Sequence, residues 1–314
     1  CTCCGDCAEA CDVEVSDPFN FGMGKKNGAH LPFEMAFPAR FILSKEIIGT
    51  DAAQKAKDAC KYDAVDLDMQ AKTIDLPVGA IVWATGWEPY DAHRIDNLGF
   101  GQYDNIITNM MLERLASKSG PTGGKIQRPS DGKAPESVAF VQCAGSRDEN
   151  HLPYCSYICC MASLKHATYI REQYPDAKVY IFYIDIRSPG DRYEKFYDKI
   201  KEDENVILIK GKVAEVSEDP ASKNITVVAE NAVTGEKIHQ TVEMAVLATG
   251  MQPTAANTKL PADLTVNDDG FIINDFEKGG MFAAGCANKP ADVISSNQNA
   301  TGMALKAIQT LVKR

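Results

Sequence analysis

An α/β protein built on a parallel, Rossmann-like sheet is the fold class this sequence predicts, on three observations. First, Val138–Cys143 (VAFVQC) is an apolar run of strand length, a helix-length stretch follows over Tyr154–Gln173, and Lys178–Ile186 (KVYIFYIDI) is a second strand. Strand, helix and strand in that order imply a parallel pair. Second, Val78–Trp83 (VGAIVW) is continuously apolar, as a buried strand is, and is bounded by Pro77 and Gly86. Third, Ala-Thr-Gly follows two separate strands, at 84–86 and 248–250, each time with a proline three residues on, at Pro89 and Pro253.

The remaining elements follow in chain order. Residues 1–75 are mixed: a cysteine-rich start, a stretch rich in Pro, Phe and Gly through Phe19, Phe37 and Pro38, then a short helix near Ala52–Ala59. Asn105–Ala116 reads as a helix with Ile106, Met110 and Leu115 among its apolar positions, and Gly120–Pro135 is by composition a long loop. Ile158, Met161, Leu164 and Ile170 line one side of the Tyr154–Gln173 helix. Val206–Ile209, Ile225–Ala229 and Met244–Ala248 supply further strands, and the chain closes with a strand at Met281–Ala284 and a helix over Ser296–Val312.

Composition narrows the function. At 314 residues the chain has the length of about two domains. Hydrophobic residues at 45% and charged residues at 24% exclude disorder as the main state. Lys+Arg 33 against Asp+Glu 43 gives a net charge of −10, and no window gathers the basic residues that nucleic acid would require. No run of 18 apolar residues spans a membrane. The chain begins at Cys1 rather than Met, which reads as an N-terminally truncated fragment; a lipoprotein start would continue into a polar tether, whereas CTCCGDC is dense in cysteine. Of eleven cysteines, nine fall in two groups, Cys1, Cys3, Cys4, Cys7 and Cys11, then Cys143, Cys155, Cys159 and Cys160. Clustered cysteines in a chain of this size point to metal or redox chemistry in a reducing, cytoplasmic compartment.

The two ATGxxP strings resemble the chain crossings between the domains of two-dinucleotide-binding-domain flavoproteins, although small residues ending two strands would read the same way. Gly280–Cys286 resembles the late FAD motif of that superfamily, a strand followed by Gly-Asp, with Cys286 in place of the Asp. Thr85, Gly86, Gly285 and Cys286 are therefore candidate FAD contacts, joined by Asp292 and Val293 where the last helix starts, since free N–H groups there favour electron density on a reduced flavin. The other reading is a plain buried strand and helix. No complete GxGxxG is present, so the FAD fingerprint is expected upstream of Cys1. The junction Cys143–Asp148 (CAGSRD) holds a single glycine, which disfavours NAD(P) there, and Gly120–Lys125 lacks the spacing of a Walker sequence.

Cysteines occupy that junction instead. Cys155 and Cys159, at i and i+4, share a helix face, Cys160 lies beside them, and Cys143 ends the strand that feeds the site. Four thiolates suit an iron–sulfur cluster or zinc, and the company of flavin motifs favours the cluster; buried structural thiols or a redox-active pair are the alternatives. At the start of the chain, Cys1, Cys4, Cys7 and Cys11 fit CxxCxxCxxxC, the bacterial ferredoxin run, with zinc as the alternative. In that pattern the fourth cysteine serves the other cluster and a proline follows it, whereas Asp12 follows Cys11. Ala59–Val65 (ACKYDAV) resembles the tail of a second ferredoxin motif, so Cys60 is preferred over Cys11 as fourth ligand beside Cys1, Cys4 and Cys7. His151 reads as a solvated loop histidine or a neighbour of the second cysteine group.

The strings CTCCGDC, GPTGGKIQRPSDGKAP, VAFVQCAGSRD, YCSYICCMASLK and IFYIDIR together resemble the heterodisulfide reductase A-subunit family, most nearly the A-subunit of the quinone-interacting membrane-bound oxidoreductase complex of sulfate reducers. The resemblance implies a thioredoxin-reductase-like, two-dinucleotide-binding-domain flavoprotein that binds FAD and carries a ferredoxin-like insertion. Residues 1–75 would be the insertion, 76–136 and 251–314 the C-terminal part of the FAD-binding domain, and 137–250 the second Rossmann-like domain. It also implies a [4Fe–4S] cluster on Cys143, Cys155, Cys159 and Cys160. The expected role is an oxidoreductase subunit relaying electrons between a membrane quinone-linked partner and a cytosolic reductase of the adenylylsulfate reductase or heterodisulfide reductase type. Such a subunit would be cytoplasmic, peripheral to the inner membrane through partner subunits. Two other readings stand beside it: an NAD(P)H-dependent dithiol reductase using Cys159 and Cys160, and a zinc-stabilised scaffold without catalysis.

Overall fold

The structure, a computed structural model, describes residues 1–312. It divides into two compact units, one of Cys1–Leu76 with Arg114–Lys125, the other of Pro77–Glu113 with Ile126 onward.

The first unit contains helix α1 (Asp6–Ala10), strands β1 (Glu14–Ser16), β2 (Lys25–Asn27), β3 (Ala29–His30) and β4 (Ile42–Leu43), and helix α2 (Asp51–Asp58). β1 pairs with β2 and β3 with β4, both antiparallel. The buried face of α2 is Ala52, Ala53 and Ala56, and these small side chains let α1 pack against it. Cys7, Cys11, Val15, Ala29 and Ile47 complete the core. The expected helix at 52–59 is thus present, one residue earlier.

The second unit holds strands β5 (Ile81–Trp83), β6 (Trp87–Pro89) and β7 (Ile106–Thr108), helix α3 (Asn109–Ala116, whose end passes into the first unit), strand β8 (Ser137–Ala144), helix α4 (Cys159–Gln173), strand β9 (Lys178–Tyr183) and helix α5 (Asp191–Lys201). There follow strands β10 (Val206–Lys210), β11 (Val213–Glu218), β12 (Ile225–Glu230), β13 (Lys237–Val242), β14 (Met244–Thr249) and β15 (Met251–Pro253), the short helix α6 (Thr254–Asn257), strand β16 (Met281–Ala283) and helix α7 (Val293–Val312). A five-stranded sheet in the order β10-β9-β8-β14-β7 is parallel throughout. The α/β class and the parallel β8–β9 pair are as expected. β14 is buried at every residue and β8 at all but its first, so both read as continuous apolar runs. β11, β12 and β13 form a separate antiparallel sheet.

The two ATGxxP strings meet: β6 and β15 pair antiparallel, Met251 opposite Pro89 and Pro253 opposite Trp87. β5 and β16 form a parallel pair of their own.

Several expectations need correction. Asn105–Ala116 is not one helix: its β-branched start, Ile106-Ile107-Thr108, is the buried edge strand β7, and the helix begins at Asn109. Residues 154–158 are likewise outside α4, because Tyr157 takes a left-handed φ of 70° that no helix accommodates. Val78–Trp83 is not a buried strand; only Ile81–Trp83 is extended, and Val78, Ile81 and Val82 are exposed, since β16 is the one strand paired with β5 among the described residues. β9 ends at Tyr183 rather than Ile186.

Candidate functional site

The sheet order sets where ligands go. From β8 the chain crosses to β9 and β10 on one side, while β14 and β7 lie on the other, so the strand order reverses between β8 and β14. Open parallel sheets bind ligands outside the carboxyl ends of the strands at such a point. Cys143 stands there, at the end of β8 with a left-handed φ of 56°, and Thr249–Gly250 ends β14.

The loop from Gly145 to Ile158 brings the other cysteines to that point. The Ser146 and Ser156 hydroxyls share a hydrogen bond of 2.7 Å, and Ser156 Oγ accepts the Met251 amide at 2.8 Å. This ties both ends of the loop to the crossing after β14. Gly250 is the packing point: a Cβ there would lie 2.2 Å from Ser146 Oγ, 2.7 Å from Leu152 Cδ1 and 2.9 Å from Ser156 Oγ. Gly250→Ala is therefore expected to destabilise the protein by about 1–3 kcal/mol through overpacking, read as a lowered midpoint in thermal unfolding; an unchanged midpoint would show that the loop yields freely.

Cys159 and Cys160 are the first two residues of α4, both buried. Their backbone N–H groups belong to the unpaired first turn, whose partial positive charge favours thiolate. The Cys159 thiol donates to the Thr249 carbonyl at 3.5 Å and the Cys160 thiol to the Asp185 carbonyl at 3.7 Å. Cys155 comes from the loop and not from the helix face, so the i, i+4 relation to Cys159 does not hold; its sulfur accepts the Tyr157 amide at 3.4 Å. The four are electrostatic neighbours. Burial, then the charge of Cys160, pushes the Cys143 thiol up to about 11; burial, then Cys160, Cys143 and Cys155, pushes Cys159 higher still. Cys143, Cys159 and Cys160, all raised by burial, are therefore protonated when no metal is present, and metal binding here releases protons. Among the described residues, no group of three or more His, Cys, Asp or Glu side chains stands ready-made as a metal site: the four thiols are gathered but not closed on a common centre.

The single glycine after β8 packs directly on protein. Gly145 has φ 78°, and a Cβ on it would lie 2.6 Å from the Tyr90 ring. Tyr90 in turn bonds His151 Nδ1 at 2.9 Å, which places His151 on Tyr90.

Beside the thiols lies a cavity of about 560 Å³ walled by Tyr157, Ile158 and Met161 near the cysteines, Phe196 from α5, and Asp292 and Val293. That volume is within the range of small-molecule sites, roughly 300–1,000 Å³. Lys165 of α4 reaches it and is anchored by Glu113, which also accepts from His166 Nε2 at 2.9 Å. Burial alone would raise the Glu113 carboxyl, but the bonds and charges of His166 and Lys165 outweigh it and hold the group at about 2. A depressed carboxylate stabilises the fold above its unfolded pKa, near 4.5, and loses that contribution as pH falls toward about 2. Glu113→Gln is expected to cost on the order of 2–3 kcal/mol at pH 7. The gap to wild type in denaturant titrations should narrow from pH 4.5 downward, and a gap independent of pH would contradict the ion-pair account.

Of the residues expected to contact FAD, Asp292 and Val293 line this cavity. Asp292 accepts the Ser295 amide at 2.7 Å and caps α7, whose first residue is Val293. Thr85–Gly86 and Gly285–Cys286 sit instead at the carboxyl ends of β5 and β16. Among the described residues the buried Thr85 hydroxyl and Trp83 indole N–H have no hydrogen-bond partner, and Gly86, at φ 73°, has open space where a Cβ would stand. Cys286 is engaged internally, its thiol donating to the Ala291 carbonyl at 3.4 Å.

In the first unit, Cys4, Cys7 and Cys60 are electrostatic neighbours: burial raises the Cys7 thiol, and Cys60 and Cys4 add to it. Amide hydrogen bonds from Ala64 and Tyr62 lower Cys60, helped by the chain's amino terminus at Cys1. Cys11 is instead part of the apolar core, 3% exposed and close to Gly28.

Sequence reasoning did not single out Lys165, Glu113, Arg147 or Asp185. The last two stand in the strings QCAGSRD and IFYIDIR, whose pairing of charge with cysteine-rich neighbours was the available signal.

Fold and site together define a Rossmann-type α/β protein that carries thiol groups at its ligand-binding edge and a ferredoxin-spaced cysteine run in a separate unit. No protein-family model matches the chain. It is 38% identical over 323 residues to the CoB–CoM heterodisulfide reductase iron-sulfur A-subunit 2 of Methanopyrus kandleri, covering 99% of this chain and 49% of that one. It is 38% identical over 316 residues to the CoB–CoM heterodisulfide reductase iron-sulfur A-subunit of Methanocaldococcus jannaschii, covering 97% and 48%. To the A-subunit of the H(2):CoB-CoM heterodisulfide,ferredoxin reductase of Methanothermobacter thermautotrophicus it is 35% identical over 324 residues, covering 100% and 49%. The chain thus spans about half the length of these relatives. Among solved structures, Lactococcus lactis thioredoxin reductase is similar with a TM-score of 0.48 and 16% identity, over 75% of this chain and 67% of that one. The thioredoxin reductase of T. acidophilum gives 0.46 and 16%, over 74% and 64%. Over the length that it spans, the chain belongs to the heterodisulfide reductase A-subunit family.

Proposed function

We propose that the chain is part of an FAD- and iron–sulfur-containing electron-transfer subunit of an oxidoreductase complex. The observation that carries this reading is the gathering of Cys143, Cys155, Cys159 and Cys160 at the sheet's reversal point, with a cavity on the other side of Tyr157 and Ile158. The donor set fits the group: four sulfurs, two of them on a helix N-terminus, are what an iron–sulfur cluster takes from a protein. Asp292 and Val293 at the start of α7, together with the unpartnered Thr85 hydroxyl, fit a flavin cofactor. Held by these residues, a cluster supplies one-electron transfer and FAD two-electron transfer, which together join the two kinds of chemistry. The side chains do the rest: Tyr157, Met161 and Phe196 keep the cavity apolar, and Lys165, anchored by Glu113, presents a cation to it.

In the first unit, Cys1, Cys4, Cys7 and Cys60 would hold a second [4Fe–4S] cluster in a ferredoxin-like insertion over residues 1–75. Residues 137–250 would form the second Rossmann-like domain, whose sheet also takes in β7 from the preceding segment, and the rest of 76–136 with 251–314 the C-terminal part of a FAD-binding domain. The apolar residues exposed on β5 and α7, Ile81, Val82, Ile294, Leu305 and Ile308, support the reading that more of that domain covers them. The partners would be other subunits of the complex, on one side a membrane quinone-linked protein and on the other a cytosolic reductase. The relatives above come from heterodisulfide reductases, so the likeness to the sulfate reducers' complex rests on the sequence strings alone. Among the described residues no helix is long and apolar enough to cross a membrane, which suits attachment through partner subunits.

The test is anaerobic purification of the complete protein with iron, sulfide and flavin analysis. Iron, labile sulfide and FAD together support the reading; zinc without labile sulfide overturns it in favour of a scaffold. The NAD(P)H-dependent dithiol reductase reading is disfavoured by the single glycine after β8, which packs on Tyr90, and by thiols that burial keeps protonated, because thiolate is the reactive form.

A further inference from the structure

We propose that Arg147, held by Asp185, is a positioning residue that sets the reduction potential of the centre built on Cys143, Cys155, Cys159 and Cys160, an inference that rests on the cluster reading above. Arg147 follows Cys143 by four residues and is fixed at both the main chain and the side chain. Its backbone lies in the left-handed region at φ 56°, an unfavourable place for a residue with a Cβ, and its amide donates to the Tyr154 carbonyl at 3.0 Å. The next residue is pinned as well, Asp148 donating through its amide to the Leu152 carbonyl and pairing with Lys212 at 2.7 Å.

The guanidinium Nη1 is 3.0 Å from Asp185 Oδ1, and the charge of the same group acts on the Cys143 sulfur. Asp185 Oδ1 is shared with Arg187 Nε, also at 3.0 Å. The main chain of this segment serves the cysteines too: the Asp185 carbonyl accepts from the Cys160 thiol at 3.7 Å. One short segment after β9 therefore holds Cys160 through its backbone and Arg147 through its carboxylate.

An exposed ion pair alone contributes little to stability. Here the Arg147 side chain is only 25% exposed, and its charge acts on Cys143, Cys155 and Cys160 together. One-electron reduction of a thiolate-ligated centre adds one negative charge. A fixed cation beside the sulfurs stabilises the reduced form over the oxidised form and raises the potential. Asp185 limits the effect and aims it: it lowers the net charge of the pair and fixes which way the fork of donors faces.

The test uses the complete protein, loaded with its flavin and clusters, as wild type, Arg147→Gln and Arg147→Lys. Iron and sulfide are counted, and each centre is titrated with dithionite and followed by low-temperature electron paramagnetic resonance (EPR). Arg147→Gln should retain the iron and sulfide, move the midpoint of this centre to a more negative potential and leave the other centres where they were; Arg147→Lys, which keeps the charge, should recover most of the shift. Full iron content with an unmoved midpoint in Arg147→Gln overturns the proposal while the cluster reading stands. Should Arg147→Gln lose the centre, Arg147→Lys decides: a retained centre near the wild-type midpoint supports the role of the charge, and a lost centre shows that Arg147 only shapes the loop. Failure of the cluster reading itself is seen separately, as wild-type protein without iron and sulfide.

Discussion

Cys159→Ser and Cys160→Ser are each expected to abolish one low-temperature EPR signal of the complete, anaerobically purified protein and to remove about four irons per chain. Both residues open α4, where helix N–H groups support a charged sulfur, and both are buried, out of direct reach of bulk water. Serine keeps the shape and a polar hydrogen, so the fold should survive with thermal unfolding near that of wild type. That separates loss of a ligand from loss of the protein. An unchanged spectrum together with unchanged iron would refute the assignment of this centre.

In the first unit, Cys60→Ala is expected to remove the other ferredoxin-type signal, and Cys11→Ala to leave it in place. The difference is physical. Cys60 is turned toward amide donors, the Ala64 N–H standing 3.3 Å from its sulfur, in the manner of a cluster thiolate, and it acts electrostatically on Cys7. Cys11 is packed in the core, where a Cβ on Gly28 would come within 3.2 Å of its sulfur. Cys11→Ala should therefore cost about 1 kcal/mol of stability by leaving a small void, read by denaturant titration, with iron content unaffected. The reverse outcome, signal lost in Cys11→Ala and kept in Cys60→Ala, would make Cys11 the fourth ligand.

Much of the fold was legible because the strands that matter are buried on both faces. β8 and β14 announce themselves as unbroken apolar runs, and the Ala-Thr-Gly strings mark where two strands end. The misread elements are those in which tertiary contact overrides periodicity. Ile106-Ile107-Thr108 fits a helical pattern as well as a strand, and only its place beside β14 makes it β7. Tyr157 offers no proline or glycine to warn of its positive φ, so Cys155 reads as helical until the loop is seen. The candidate site divides in the same way. Cysteine spacing and the strand end at Cys143 pointed to the four residues as a group, and a resemblance supplied the expectation of a [4Fe–4S] cluster on them. The salt-bridged Arg147 and Asp185 lie 38 positions apart by number, a pairing that no local pattern encodes.

The antiparallel pairing of β6 with β15 has a mechanical consequence. Because Pro89 and Met251 are register partners, everything from Tyr90 to Gly250 departs from and returns to one spot, like a lobe on a two-threaded stalk. All five strands of the parallel sheet lie on that lobe, while β5, β16 and α7 lie beyond the stalk. The cavity walls divide along the same line, Tyr157, Met161 and Phe196 on the lobe and Asp292 and Val293 off it. The ribbon is thus the chain's joint between the lobe and the start of α7, and side-chain bonds brace it from the side, Tyr193 Oη to Asp292 Oδ2 at 3.5 Å and the Met251 amide to Ser156 Oγ at 2.8 Å.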